Sequence, residues 1–67
     1  MPNLTQKELF MIEDLLSGEE LMIEKFSLYA EETDDTQVKS LCEEIQKIHQ
    51  KHYNTLIGQL DTSRAIH

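Results

Sequence analysis

The 67-residue sequence is poor in the residues that cross-link a small domain or fill a large core. It contains one cysteine, one proline, two glycines and no tryptophan, and only 6% of its residues are aromatic. Because Cys42 is alone, the chain can form neither an internal disulfide nor a cysteine-based zinc cluster. A chain this short also buries only a limited fraction of its surface. We therefore expect one small unit that gains stability by self-association.

Basic residues and long apolar runs are scarce as well. Six Lys and Arg stand against thirteen Asp and Glu, which gives a formal net charge of −7. This charge repels phosphate backbones and anionic lipid, so we expect neither nucleic acid nor a membrane as a partner. Nowhere do 18 apolar residues follow one another, and "MPNLTQKELF" lacks the pattern of a secretion signal. With one unpaired cysteine, these features predict a soluble, cytoplasmic protein.

Sequence motifs of common enzymes are missing too. The serines lie in no recognised nucleophile elbow, and there is no glycine-rich phosphate loop. A chain of this size also leaves no room for a deep substrate pocket. We therefore predict that the protein is not an enzyme.

The first half of the chain has the apolar periodicity of a helix. Thr5 and Glu8 have the S/T-x-x-E spacing of a capping box, so a helix is predicted over about residues 5–32. Gly18 costs about 1 kcal/mol relative to alanine but does not end the helix, because no proline or polar cluster accompanies it. Close approach of another backbone would explain this glycine. The predicted apolar face consists of Leu9, Ile12, Leu16, Ile23, Phe26 and Ala30.

The segment "EETDDT" separates this helix from a second one. Its residues prefer turns and helix starts, so a second helix is predicted over about residues 35–60, with Asp34 and Gln37 as a capping box. Residues 61–67 are expected to be a frayed tail. The second apolar face consists of Val38, Leu41, Cys42, Ile45, Ile48, His49, His52, Tyr53, Leu56 and Leu60.

These two helices predict an all-α fold. Long helices joined by a short connection lie antiparallel, so residues 1–67 are expected to form a single helical-hairpin domain. A lone hairpin leaves half of its core exposed. Two hairpins that pair around a twofold axis into a four-helix bundle are the simplest closed arrangement.

Polar residues interrupt both apolar faces at the same level. Glu19 stands between Leu16 and Ile23, where a leucine is expected, and a buried carboxylate needs a partner. On the second helix, Gln46, His49 and His52 follow one another at one-turn spacing. Glu19 and His49 lie at similar distances from the turn, so an antiparallel hairpin brings them level. We expect them to meet inside the molecule.

The same residues carry a resemblance to ferritin-like di-iron proteins. Glu19 is followed after seven residues by the aromatic Phe26, which resembles the first helix of that superfamily, where a glutamate ligand precedes a tyrosine. Its second helix carries Glu-x-x-His, and the matching tetrad here is Gln46-Lys47-Ile48-His49. The resemblance implies that Glu19 and His49 are ligand positions. Gln46 replaces the bridging glutamate, and an amide is a poor ligand for such metals, which makes the motif degenerate.

A narrower resemblance is to the spore coat protein F family of endospore-forming Firmicutes, whose members are small ferritin-like helical proteins. The segments "LTQKELFMIEDLLSGEELMIEKFSLYAEET" and "VKSLCEEIQKIHQKHYNTL" look like its two-helix core and cover most of residues 4–60. This resemblance implies a coat or sporulation protein without an established reaction. It adds the spore coat to the cytoplasm as an expected location.

Three functions remain open from the sequence. The first is non-enzymatic assembly as a homodimer or higher homo-oligomer without a cofactor, with other spore coat proteins as further partners. The second is a degenerate metalloprotein that binds Fe, Zn or Mn at Glu19 and His49, with Gln46 and His52 beside them. In the absence of metal, both histidines would be hydrogen-bonded imidazoles in a helical interface. The third is a module that docks a partner helix.

Overall fold

The structure is an antiparallel hairpin of two long helices. The computed structural model describes residues 4–65, with side chains described over residues 4–61. Helix α1 spans Gln6–Glu32 and helix α2 spans Thr36–Ala65, and the two pack against each other. The prediction of an all-helical hairpin is therefore confirmed. No helix among the described residues is long and apolar enough to cross a membrane.

Helix α1 begins with the predicted capping box. The Glu8 amide donates to Oγ1 of Thr5 at 3.1 Å, and the Thr5 amide donates to Oε1 of Glu8 at 3.0 Å. Two amides that would lack a helical partner are thereby satisfied. The helix then continues through Gly18 without interruption. A Cβ atom at Gly18 would meet nothing within 4 Å, so no backbone of the hairpin itself approaches this glycine.

The turn between the helices consists of Thr33, Asp34 and Asp35. The Asp35 carboxylate caps α2, since its Oδ1 accepts from the amides of Gln37 at 2.8 Å and Val38 at 3.1 Å. The Asp35 amide in turn donates to Oγ1 of Thr33 at 3.2 Å. The predicted capping box of Asp34 with Gln37 is therefore wrong by one residue. Thr33 remains extended after α1, which delays the start of α2 to Thr36.

Helix α2 extends beyond its predicted end at residue 60. It reaches Ala65, so residues 61–65, expected in the frayed tail, are helical. These residues include neither glycine nor proline, the two residues that most strongly oppose helix continuation. Residues 66 and 67 of the predicted tail lie outside the described part of the chain.

The core between the helices is thin. Among the described residues, the buried apolar side chains are Leu16, Ala30, Cys42 and Leu60, and none of them is fully buried. Most other members of the two predicted apolar faces are half-buried, whereas Val38, Leu41 and Ile48 are exposed. One helix therefore covers only part of the apolar surface of the other.

A second apolar surface remains uncovered on one broad side of the hairpin. Depressions on this side join Leu15 to His52 and Thr55, and Met11 and Leu15 to Gln59. On α2, helical spacing from these residues continues the same side towards the turn. We call this side the open face. Its apolar members are Met11, Leu15, Met22, Val38, Leu41, Ile45 and Ile48.

Candidate functional site

Glu19 and His49 meet at the middle of the hairpin, as the sequence predicts. The Nδ1–H group of His49 donates to Oε1 of Glu19 at 2.5 Å. Both side chains are largely buried, with relative exposures of 21% for His49 and 19% for Glu19. The antiparallel register brings together residues 30 positions apart in the chain. Glu19 therefore occupies the leucine-like position on α1 and finds its polar partner on α2.

His52 approaches the same carboxylate from one turn further along α2. Its Nδ1 lies 3.6 Å from Oε2 of Glu19, whereas His49 contacts Oε1. The His52 side chain is 55% exposed, so its predicted place on the buried face of α2 is wrong. It lies at the edge of the interface because three residues turn a helix by less than a full rotation. Only His49 of the two histidines faces inward.

Aromatic rings surround the His49 imidazole on two sides. The Phe26 ring lies nearly parallel to it, with centroids 6.2 Å apart and planes inclined by 11°. The His52 ring stands perpendicular to it at 5.7 Å. Both centroid distances lie within the range of about 4.5–7 Å that favourable aromatic pairs adopt. Phe26 therefore packs against His49. The sequence resemblance places this residue where ferritin-like proteins have a tyrosine.

Glu19, His49 and His52 together form a candidate metal site. Each offers one ligand atom, and these atoms lie within 4.8 Å of one another. Two imidazoles and one carboxylate suit zinc and other borderline divalent ions, and three protein ligands leave a position for water. A bound ion would take the place of the hydrogen on Nδ1 of His49, since metal ligands bind deprotonated. The ligand atoms of these three side chains therefore fit a divalent ion.

Gln46 does not join this group. Its side chain is half-buried one turn before His49, in the position that the resemblance assigns to a bridging glutamate. Within the described residues, no side-chain hydrogen bond links Gln46 to Glu19, His49 or His52. Because a neutral amide is also a weak ligand for these ions, the arrangement suits one ion better than a bridged pair.

A separate depression on the other side of the hairpin was not foreseen from the sequence. It is lined by Tyr53 and Gln50 on α2 and by Glu20, Ile23 and Glu24 on α1. Burial raises the pKa of the Tyr53 hydroxyl, and the charge of Glu20 and a hydrogen bond to it raise that pKa further. Tyr53 therefore remains a neutral phenol in the same depression as the Glu20 carboxylate. The sequence feature that could have indicated this depression is Glu20, the acidic residue directly after Glu19. It lines the depression together with Gln50 and Tyr53 of α2.

Comparisons with known proteins assign no family to the chain. No family model matches it, and neither a curated protein nor a solved structure shows significant similarity to it. The resemblance to spore coat and ferritin-like proteins therefore stays a prediction. The thin core, the open face and the Glu19 site are the features from which a function can be proposed.

Proposed function

We propose that the protein is a non-enzymatic assembly protein whose hairpins pair through their open faces into a four-helix dimer. The observation that carries this proposal is the row of exposed apolar side chains on α2. Leu41 is 55% exposed and Ile48 is 52% exposed, and both lie on the row at positions 38, 41, 45, 48 and 52. Alternating spacings of three and four place these residues along the seam of a helical bundle.

The matching row on α1 supports the same partner. Met11 is 55% exposed and Leu15 is 53% exposed, and Gly18 and Met22 continue their row at spacings of three and four. A second copy would present the same two rows, which is the self-complementary contact that a twofold axis requires. Gly18, next to which the hairpin leaves open space, would allow a second helix to approach closely.

The size of the open face also suits a second copy. The hairpin extends 49 Å by 16 Å along its two longest axes, an area on the order of the 800 Å² that each partner contributes to a standard specific interface. A docked single helix would cover about two thirds of that width, since a helix with side chains is about 10–12 Å across. A second hairpin supplies two helices and covers the face completely.

The biological role proposed for this dimer is structural, in a spore coat or during sporulation. It is supported only by the resemblance of the two helical segments to the spore coat protein F family. The open face makes such a role physically reasonable, because a protein that acts through assembly needs complementary surfaces rather than a substrate pocket. Other coat proteins would be further partners of the dimer.

The mass of the chain in solution tests this proposal. Light scattering after size exclusion is expected to give about twice the monomer mass of 7.8 kDa. Ile48→Glu should shift the protein to monomer, because it places a charge in the centre of the paired faces. The matched control is Leu21→Glu, since Leu21 is 64% exposed but points about 100° away from Met22 around α1. A monomeric wild type, or equal dissociation of both variants, would refute the dimer.

The second candidate function is binding of a divalent metal ion, which the convergence of Glu19, His49 and His52 favours. Zinc titration followed by calorimetry is expected to show one ion per chain, and His49→Ala should abolish that binding. Wild-type melting temperature should rise with zinc, because an ion that binds only the folded state stabilises it. An unchanged melting temperature with saturating zinc would argue against a site in the folded chain.

A further inference from the structure

We propose that the Glu19, His49 and His52 group opens onto the dimer interface and that a divalent ion bound there strengthens the pairing of two chains. This inference rests on the proposed dimer and adds its regulation. His52 is the residue that joins the two features. It belongs to the ligand group and also follows Ile48 by four residues on the exposed row of α2.

The surroundings of His52 place the ligand group on the open face. An open depression on that face is lined by Leu15 and Glu19 from α1 and by His52, Thr55 and Leu56 from α2. The carboxylate of Glu19 is thus reached from the same side as the exposed Leu15 side chain. A second copy that covers Leu15 and Ile48 must also cover His52 and this opening.

Covering the opening without an ion is energetically unfavourable. Oε2 of Glu19 lies 3.6 Å from His52, too far for a good hydrogen bond, and pairing would remove the water that solvates it. A twofold axis would bring a second Glu19 carboxylate into the same interface, and buried like charges repel each other. An ion held by each chain's carboxylate and imidazoles would compensate that charge.

The net charge of the chain acts in the same direction. Each copy carries a formal charge of −7, so two copies repel each other before they come into contact. A divalent ion at each Glu19 site would reduce the charge of each copy by two. The resulting reduction in repulsion between the two copies is largest at the interface, because charges interact more strongly where water is excluded.

The coupling must be reciprocal. If an ion increases the dimerisation constant by some factor, dimerisation increases the affinity for the ion by a corresponding factor. Couplings between two binding events typically lie between about 5-fold and 150-fold. We expect zinc to tighten the dimer within that range, and we expect zinc affinity to rise with protein concentration.

Sedimentation equilibrium of the purified chain tests the inference. The dimer dissociation constant is measured in chelator, in zinc chloride and in magnesium chloride, the last being a control for general charge screening. His52→Ala removes one ligand at an exposed position, so the hairpin should still fold. Gln59→Ala is the matched control, because Gln59 is exposed on the same row of α2 and supplies no ligand atom to the group.

The expected result is that zinc, but not magnesium, tightens the dimers of wild type and Gln59→Ala and leaves His52→Ala unchanged. A dimer that forms equally well in chelator and zinc would overturn the inference while leaving the proposed assembly intact. Equal tightening of His52→Ala would also overturn it, since zinc would then act elsewhere on the acidic surface. A chain that is monomeric under all conditions would overturn both proposals.

Discussion

At the scale of single residues, the Glu19–His49 contact is the most informative feature of the molecule. A largely buried carboxylate on α1 is paired with an imidazole on α2 at 2.5 Å. Such a pair adds little net stability compared with an apolar pair of the same shape, but loss of one partner leaves the other buried without compensation. We therefore expect the pair to specify the register of the two helices more than it stabilises the fold.

A double-mutant cycle measures this pair. His49→Ala is expected to reduce the free energy of unfolding by about 1–3 kcal/mol, because it leaves the Glu19 carboxylate without its hydrogen bond. In a Glu19→Leu background the same substitution should cost clearly less, since no buried charge remains unpaired. Chemical denaturation in the presence of a chelator gives all four values. Equal losses in the two backgrounds would show that His49 acts only through packing against Phe26.

At the scale of the helices, side-chain caps set where each helix begins. Thr5 and Glu8 close α1 by reciprocal hydrogen bonds, and Asp35 closes α2 through one carboxylate oxygen. The first helix has an acidic side chain in its first turn, where the positive end of the helix dipole favours it. The core between the two helices is thin, so we expect these caps to contribute a large share of the free energy of unfolding of the hairpin.

Of the two adjacent aspartates in the turn, only Asp35 accepts hydrogen bonds from the first amides of α2. Asp35→Ala is expected to reduce the free energy of unfolding by about 1 kcal/mol, because the amides of Gln37 and Val38 lose their acceptor. Asp34→Ala is the matched control and should change it by less than about 0.5 kcal/mol, since surface substitutions away from caps have small effects. Urea denaturation compares the two variants. A larger loss for Asp34→Ala would mean that Asp34 caps α2.

The cap of α1 should respond to acid. The backbone and side-chain hydrogen bonds with Thr5 hold the pKa of the Glu8 carboxyl below its usual value. A lowered folded-state pKa means that the unfolded chain binds the proton more readily, so this contribution is present above the unfolded-state pKa. It is lost as pH falls through the folded-state pKa. Carboxyl NMR titration should show the lowered value, and Thr5→Ala should return Glu8 to its ordinary range.

At the scale of the whole molecule, the hairpin exposes more apolar side chains than it buries. Only four apolar side chains are buried among the described residues, whereas a stable domain of this size needs a substantial core or an oligomer. The proposed dimer resolves this imbalance, because two hairpins would cover the exposed rows of both. The stability of the fold should then depend on protein concentration.

The two glycines provide a test of how closely the paired faces approach. A Cβ at either Gly18 or Gly58 would meet nothing within 4 Å in the hairpin, so alanine at each should favour the helix by about 1 kcal/mol. Gly18 lies on the open face and Gly58 does not. Gly58→Ala should raise the melting temperature at all protein concentrations, whereas Gly18→Ala should weaken the dimer. Equal stabilisation by both at high concentration would exclude close approach at Gly18.

Much of the hairpin could be predicted because its determinants are local. The capping box at Thr5 and the helical spacing from Leu9 to Ala30 depend on residues within a few positions of one another. The pairing of Glu19 with His49 followed from counting residues on either side of a short turn. The cap of α2 was predicted one residue too early. Capping-box spacing favours Asp34 with Gln37, whereas in the folded hairpin the Asp35 carboxylate accepts the amides at the start of the helix.

The sequence by itself determined two amphipathic helices, their antiparallel register and the polar residues that interrupt their apolar faces, because periodicity and turn length are properties of neighbouring residues. Only the tertiary structure decided that His52 lies exposed at the rim and that Gln46 stays outside the ligand group. The physical reason is helix rotation. Residues three apart are separated by about 60° around the helix axis, and side-chain packing across the interface sets which of them is buried.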